Sequence, residues 1–439
     1  MMYQACRGRL AGAIGWLREF QTDSELVPAA GAAAPAATCN LKSRAVWQPG
    51  QDALRCTQRF GSSQKVTFIM VADPGTFTGT PESSFYVGAV QNKNEVPANI
   101  TSCSDLLTGT ILNQPVVVAT SGIGPVAAAM CTMEMLQCSS LIKDFIYVGT
   151  SGWSSQLGGV LNAPGSCGEA NLPRDLARIG DIAVTPYAVN WACKLADYSG
   201  QCKGAPNLCS YPEEFFGPQE ARLYGDCVFT KSSKAALDLA NELISATKTP
   251  LFAANVASLS ADFEERIAPY ESAYFAAMSN GTGHQYILPK WMGPRVWDYN
   301  VAAEIDAQFF YSGVPWDMVA RNYTAQTLNL ATGKSLTQYD VIAYIRGLAL
   351  TDGKCGAGNA EVPYVLVRAN SDYLYQPVQR AKSGSGWETV ANPPPANFSV
   401  SYRFAIGTSS SAVLTMLQLR CLQGSANNAT ACAYKPLQF

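Results

Sequence analysis

Three runs of consecutive apolar residues stand out early in the chain: Val66-Thr-Phe-Ile-Met-Val-Ala72, Pro115-Val-Val-Val-Ala119 and Phe145-Ile-Tyr-Val-Gly149. Their β-branched content and lack of polar alternation suit strands covered on both faces. The first closes on Asp73-Pro-Gly-Thr76. The second enters Thr120-Ser-Gly-Ile-Gly-Pro125 and then a helix through about Gln137, and the third ends on Thr150-Ser-Gly152. Strand, loop, helix and strand at this spacing predict a parallel βαβ unit. Apolar positions return at helical spacing over 232–246, with Ala236, Leu239, Ala240, Leu243 and Ile244 on one face. A helix is predicted from about Ser335 to Leu350. A strand over 363–369 follows, passing through Arg368 and stopping at Ser371-Asp372. Residues 380–396, with Pro393-Pro-Pro395, read as a loop, and Ser411–Leu419 reads as a closing helix with a serine at its start. The predicted class is α/β: a three-layer α/β/α sandwich around a central mixed, largely parallel twisted sheet, with disulfide-rich insertions.

Along the 439 residues, Ala-Pro repetition between Val27 and Thr38 cannot bury a core, so residues 1–60 are expected to form a poorly ordered leader. One domain is expected over 61–439, with a cysteine-rich insertion at about 154–230 and a C-terminal extension from about 380. Apolar residues at 48% and charged residues at 15% describe a globular chain, and a net charge of −2 excludes nucleic acid as the natural partner. No apolar run reaches the length of a membrane span. A single histidine, His284, excludes a histidine-rich metal site.

Fourteen cysteines and five glycosylation sequons, at Asn99, Asn280, Asn322, Asn397 and Asn428, favour a secreted chain or another oxidising compartment: extracellular space, cell wall or vacuole. Cys167, Cys193, Cys202, Cys209 and Cys227 read as disulfides stapling the insertion. Cys131 and Cys138 read as buried small hydrophobes, because two helical turns hold them about 10 Å apart. A secretory signal is missing from the apolar stretch near the start, which Arg18-Glu19 interrupts. Two expectations therefore stand: an oxidised chain whose leader is not at this start, or an intracellular one with reduced thiols.

The strand-end segments carry the candidate chemistry. A carboxyl such as Asp372 at the C-terminal end of a buried strand sits where open α/β sheets hold ligands, and burial can raise its pKa until it donates a proton. Ser121-Gly-Ile-Gly124 follows a strand and opens a helix, so its N–H groups favour anions or hydroxyls. It is not the dinucleotide fingerprint, whose third glycine position is Ala127 here.

The ordered series Val118-Ala-Thr-Ser-Gly-Ile-Gly-Pro-Val, Ile146-Tyr-Val-Gly-Thr-Ser-Gly152, Gly180-Asp-Ile-Ala-Val184 and Val367-Arg-Ala-Asn-Ser-Asp372 resembles the nucleoside phosphorylase superfamily, over roughly residues 65–375. The stretch from Phe310-Tyr-Ser-Gly313 to Thr337-Gln-Tyr-Asp340 resembles its purine nucleoside permease-like branch. The resemblance implies that Asp372 protonates the purine as the glycosidic bond breaks and that Asp340 holds the sugar hydroxyls. It further implies that Ser121, Gly122 and Gly124 meet ribose and phosphate, and that Thr150, Ser151 and Gly152 flank the base. Phe309 and Phe310 are candidates for stacking on the purine. Two departures stand out. Tyr147 occupies the place of a phosphate-gripping arginine, and Asp73-Pro-Gly-Thr-Phe77 the place of a water-orienting glutamate, so Asp73 or Arg368 would have to substitute.

These readings imply an enzyme cleaving purine nucleosides by phosphorolysis or hydrolysis, in extracellular salvage. The expected partner is a small-molecule nucleoside, with no cofactor beyond inorganic phosphate as co-substrate and a homo-oligomeric assembly. The alternatives are a nucleoside-binding protein for uptake and an inactive storage protein of the same fold.

Overall fold

The computed structural model describes residues 49–97, 101–153, 177–190, 194–196, 213–215, 233–282, 288, 290–300, 302–306, 341–345, 362–373, 378–380, 387–389, 398–424 and 432–433, all within the unit Pro49–Phe439. The first apolar run becomes β1 (Val66–Val71), preceded by α1 (Pro49–Phe60) and followed by the short α2 (Ser84–Ala89), β2 (Gln91–Val96) and β3 (Asp105–Ile111). The second run is β4 (Gln114–Thr120), which leads into α3 (Pro125–Leu136), and the third is β5 (Ile142–Trp153). β1 pairs in parallel with both β4 and β5, as the βαβ spacing requires.

Next come β6 (Ile182–Thr185), β7 (Ala188–Asn190), β8 (Lys194–Ala196), β9 (Glu213–Phe215), α4 (Lys234–Thr247), α5 (Pro250–Ala257), α6 (Leu259–Asp262) and, after a π turn over Phe263–Ile267, α7 (Ala268–Thr282). The rest is β10 (Val296–Asp298), β11 (Ala302–Asp306), β12 (Val341–Ile345), β13 (Tyr364–Tyr373), β14 (Val378–Arg380), β15 (Trp387–Thr389) and α8 (Phe398–Gly424). The central sheet runs β10-β6-β13-β5-β1-β4-β3-β2, with β12 joined to β5 and β11 linking β12 to β7. It is mixed: β13 is parallel to β5 but antiparallel to β6, and β3 is antiparallel to β4.

The period of two along each strand separates two buried layers. Val66, Phe68 and Met70 of β1 face the layer that holds Cys56 and Phe60 of α1 with Cys131 and Met135 of α3. Ile69 and Val71 face the other layer, which holds Leu239 and Leu243 of α4 with Val413, Leu414 and Leu417 of α8. The three-layer sandwich is therefore already written in the strand runs, because only a doubly covered sheet can bury apolar residues on both faces.

Several sequence expectations need correction. The leader ends sooner than residue 60, because Pro49–Phe60 is helical and buries Cys56 and Phe60; residues 1–48 lie outside the described set. Val341–Ile345, read as part of a helix, is strand β12; its β-branched and aromatic side chains suit a sheet position between β11 and β5. Trp387–Thr389 lies in the expected 380–396 loop but pairs with Val378–Arg380. Within the span read as an insertion, Ile182–Thr185 is a central strand between β13 and β10.

The segment from 380 is no peripheral extension, because α8 lies on β13, β5 and α4. α8 begins at Phe398, so Ser411 is a mid-helix residue and not a cap. Its hydroxyl donates to the Gly407 carbonyl at 2.8 Å, and the Ser409 hydroxyl lies 3.1 Å from the carbonyls of Ala405 and Ile406. Bonds back to the preceding turn let small polar residues enter a buried helix at little cost.

Cys131 and Cys138 are indeed not bonded to each other, but neither is a free thiol. Cys103–Cys131 and Cys56–Cys138 are disulfides, as is Cys421–Cys432. Cys131 of α3 and Cys138 just beyond its end thus reach different parts of the chain, the segment before β3 and α1. The five insertion cysteines named above and four of the sequons, at Asn99, Asn322, Asn397 and Asn428, lie outside the described residues, while Asn280 is exposed on α7. Among the described residues no helix is long and apolar enough to cross a membrane, and no cluster of His, Cys, Asp or Glu is arranged to hold a metal.

Candidate active site

β5 and β13 run on together beyond the expected loops. Thr150, Ser151 and Gly152 are strand residues, and so are Ser371 and Asp372. The pairing is regular from Tyr364↔Phe145 to Asn370↔Ser151 and resumes at Asp372↔Gly152, leaving Ser371 as an extra residue. A bulge of this kind re-aims the side chains beside it. The Ser371 hydroxyl donates to Asp372 Oδ1 at 2.7 Å.

At this end of the sheet lies a cavity of about 290 Å³. It is lined by Asp73, Glu82 and Asp372, by Thr150, Ser151, Gly152, Ser371 and Arg368, and by Ala72, Phe77, Phe398, Tyr402 and Ile123. Six residues expected from sequence, Asp73, Thr150, Ser151, Gly152, Arg368 and Asp372, therefore share one wall-to-wall space. The glycine loop reaches it through Ile123. Ser121 is instead buried, with Oγ 3.2 Å from the Val71 carbonyl and 2.9 Å from its neighbour's, stitching β4 to β1. Gly122 and Gly124 carry φ of 88° and 110°, conformations that favour glycine and make the tight entry into α3. Asp340, Phe309, Phe310 and His284 lie outside the described residues.

Glu82 is the residue that sequence reasoning missed. It follows β1 by eleven positions, and no motif marks it. The chain between folds back, so that Oε2 accepts from the backbone N–H of Ala72 and Asp73, at 2.9 and 3.0 Å. Oε1 accepts from Thr150 N at 2.7 Å and from the Thr150 hydroxyl at 3.2 Å. One carboxylate thus ties the end of β1 to the end of β5. Asp73 is held similarly: Oδ1 accepts from Gly75 N (3.0 Å) and Thr76 N (2.6 Å), and Oδ2 accepts the Tyr402 hydroxyl at 2.8 Å. Tyr402 and Phe398 come from the first turns of α8, one helical turn apart, with ring centroids 5.5 Å from each other; Phe77 meets Tyr402 edge-on at 6.2 Å. Phe77 and Phe398 remain 45% and 39% exposed, which leaves an aromatic rim open to a planar ligand.

Asp372 sits partly exposed in the cavity wall. Desolvation pushes its carboxyl above the usual carboxylate range, and the Ser371 hydroxyl draws it partly back. The next residue is fixed from behind: the Tyr373 hydroxyl donates to Glu271 Oε1 at 2.8 Å, and Glu271 also receives Arg178 and the Ile179 N–H. The Gly180-Asp181 segment clamps Asn370 from the β6 side, with Asn370 N donating to the Asp181 carbonyl and Gly180 N to that of Asn370.

Arg368 stacks over the Tyr147 ring at 4.1 Å, which brings a cation from β13 to the very residue of β5 noted as lacking one. Its Nε lies 3.6 Å from Glu304 Oε2, and among the described residues neither oxygen of Glu304 has a hydrogen-bond partner. Burial pushes the Glu304 carboxyl up to about 8 against the pull of Arg368. Gly149 makes this arrangement possible, since a Cβ there would collide with the guanidinium of Arg368 and the carboxylate of Glu82.

Residues 68–155 match the family model of the phosphorylase superfamily. Among solved structures, the chain is similar to the 5′-methylthioadenosine/S-adenosylhomocysteine nucleosidase of Neisseria meningitidis in complex with methylthio-immucillin-A, at 13% identity and a TM-score of 0.38, covering 80% of this chain and 98% of that one. It is similar also to the enzyme of Streptococcus pneumoniae with 8-aminoadenine, at 14% identity and a TM-score of 0.36, with 80% and 98% covered. A third is the Colwellia psychrerythraea enzyme with adenine, at 13% identity and a TM-score of 0.37, with 81% and 95% covered. No curated protein matches the chain.

Proposed function

We propose that this protein cleaves the N-glycosidic bond of purine nucleosides, with Asp372 as the proton donor to the leaving base. The observation that carries the reading is the single cavity in which Asp372 joins Asp73 and Glu82, in a chain whose residues 68–155 match the phosphorylase superfamily. As the bond to the base lengthens, positive charge grows on the sugar and negative charge on the base. A protonated carboxyl neutralises the base, and fixed carboxylates stabilise the sugar cation. The raised pKa of Asp372 supports the first role, since the group must hold its proton until the bond breaks. Asp73 and Glu82, each held by backbone N–H donors, suit the second. Phe77, Phe398 and Tyr402 offer faces to the planar base. Asp340 is retained as the proposed holder of the sugar hydroxyls.

We also propose an oxidising compartment, outside the cell or in a cell wall or vacuole; the disulfides described above, which would persist there, support it. The test is incubation with a panel of purine and pyrimidine nucleosides, followed by chromatography for free base. Release from purine nucleosides, lost in Asp372→Asn without change in the circular dichroism spectrum, is the expected result. An unchanged rate in that variant would reject the assignment.

A further inference from the structure

We infer that the cavity keeps phosphate out, so that the nucleophile is water and the substrate is a nucleoside without a 5′-phosphate. The inference rests on the glycosidic-cleavage reading and specifies its second reactant. Backbone N–H groups at the ends of parallel strands form a natural cradle for phosphate oxygens. Here the protein fills that cradle with its own anions. The N–H groups of Ala72, Asp73 and Thr150 point to Glu82, and those of Gly75 and Thr76 point to Asp73. The Tyr402 hydroxyl, another donor in the lining, is also given to Asp73.

Among the described residues, the cation of the lining is committed as well. Arg368 stands over the Tyr147 ring, lies 3.6 Å from Glu304 and crowds Glu82 over Gly149. A phosphate dianion entering this space would face the charges of Asp73 and Glu82 where little water screens them, and like charges repel far more strongly there than in bulk solvent. A neutral sugar and a neutral water meet no such barrier, and a developing sugar cation is attracted.

The reaction then balances without another reactant. The C1′–N bond breaks with its electron pair on the base, which takes the proton of Asp372. The water oxygen forms a bond to C1′, and the proton it sheds restores Asp372. Products are free base and free sugar.

The test uses the full chain in two arms. In the first, nucleoside turnover is followed in phosphate-free buffer and in phosphate, with products separated by chromatography. The expected result is free sugar at the same rate in both; sugar 1-phosphate, or a rate that needs phosphate, would overturn the inference while leaving glycosidic cleavage standing. In the second arm, calorimetry compares a purine nucleoside, its 5′-monophosphate and inorganic phosphate. The nucleoside should bind at least about tenfold tighter than its monophosphate, and inorganic phosphate should not register. Comparable binding of the monophosphate would overturn the inference, and a protein that binds none of the three would sink the glycosidic reading itself. Glu82→Ala empties the cradle and should gain affinity for inorganic phosphate; a folded variant without that gain also counts against the inference.

Discussion

The closing helix α8 and the paired ends of β5 and β13 both bury polar side chains, but they satisfy them in opposite ways. In α8, Thr408, Ser409 and Ser411 are buried hydroxyls that donate to carbonyls of their own helix, and Thr415 accepts from Asn255 at 2.9 Å. All of these groups are neutral and need little from the rest of the molecule, and the Ser410 hydroxyl beside them, buried with no partner among the described residues, is neutral too. At the strand ends Arg368 and Asn370 are buried, with Glu304 of β11 buried beside them and Asp372 partly exposed in the cavity wall. Among the described residues, the side-chain atoms of Asn370 and both oxygens of Glu304 have no hydrogen-bond partner, and the carboxyls of Glu304 and Asp372 are displaced upward by burial. Native proteins satisfy nearly all buried polar atoms, and displaced ionisations concentrate at working sites. The contrast between the two regions, more than any single residue, singles out the strand ends as the candidate place of chemistry.

That contrast can be broken by substitution. The largest effect is expected at Asp372. Asp372→Asn should slow base release by about 10²–10⁴-fold with no loss of stability, as judged by thermal unfolding beside the activity assay. Kcat/KM in the unaltered protein should fall as pH rises through the elevated pKa of Asp372, because the proton to be donated is then gone.

Glu304 comes next. Its unfolded carboxyl releases its proton near 4.5 and its folded one near 8, so between these values only the folded state keeps the proton. Stability should therefore fall as pH rises across that window. Asp181, raised to about 6 by burial, adds to the lower part, and Glu271 and Asp372 are displaced upward too, so urea titrations between pH 6 and 8 assign to Glu304 only the part that its substitution removes. Glu304→Gln should remove roughly 2–3 kcal/mol of the fall in stability between pH 6 and 8, and a variant that keeps the full fall would reassign it. Gly149→Ala, which forces Arg368 and Glu82 apart, should cost roughly 1–3 kcal/mol of stability and lower activity with it; a fully active variant would show that their close approach is dispensable. The smallest effect belongs to the helix: Ser411→Ala should change unfolding free energy by no more than about 1 kcal/mol and leave activity unaltered.

What the sequence alone determined is local in character. The apolar runs at 66–72, 115–119 and 145–149 suit strands of a doubly covered sheet, and they form β1, β4 and β5. The face Ala236, Leu239, Ala240, Leu243 and Ile244 is buried on α4 as its spacing requires. Thr150–Gly152 and Asp372 were legible because strand ends of a parallel sheet converge on one rim, whereas Asp73 and Arg368 entered only as substitutes for residues that the resembled family uses. Other features depended on contacts between distant parts of the chain. Glu82 joins the site only because the segment after Asp73 folds back, and Phe398 and Tyr402 only because α8 starts at the cavity mouth, more than 300 residues after Asp73. Cysteine spacing could exclude a Cys131–Cys138 bond but could not supply Cys103 and Cys56 as partners. Ser411 looked like a cap because polarity is read one residue at a time, whereas its burial depends on the carbonyl a turn away. Periodicity records which face of an element meets the core; which elements meet each other, and therefore which charges share one enclosed space, is decided only when the sheet is assembled.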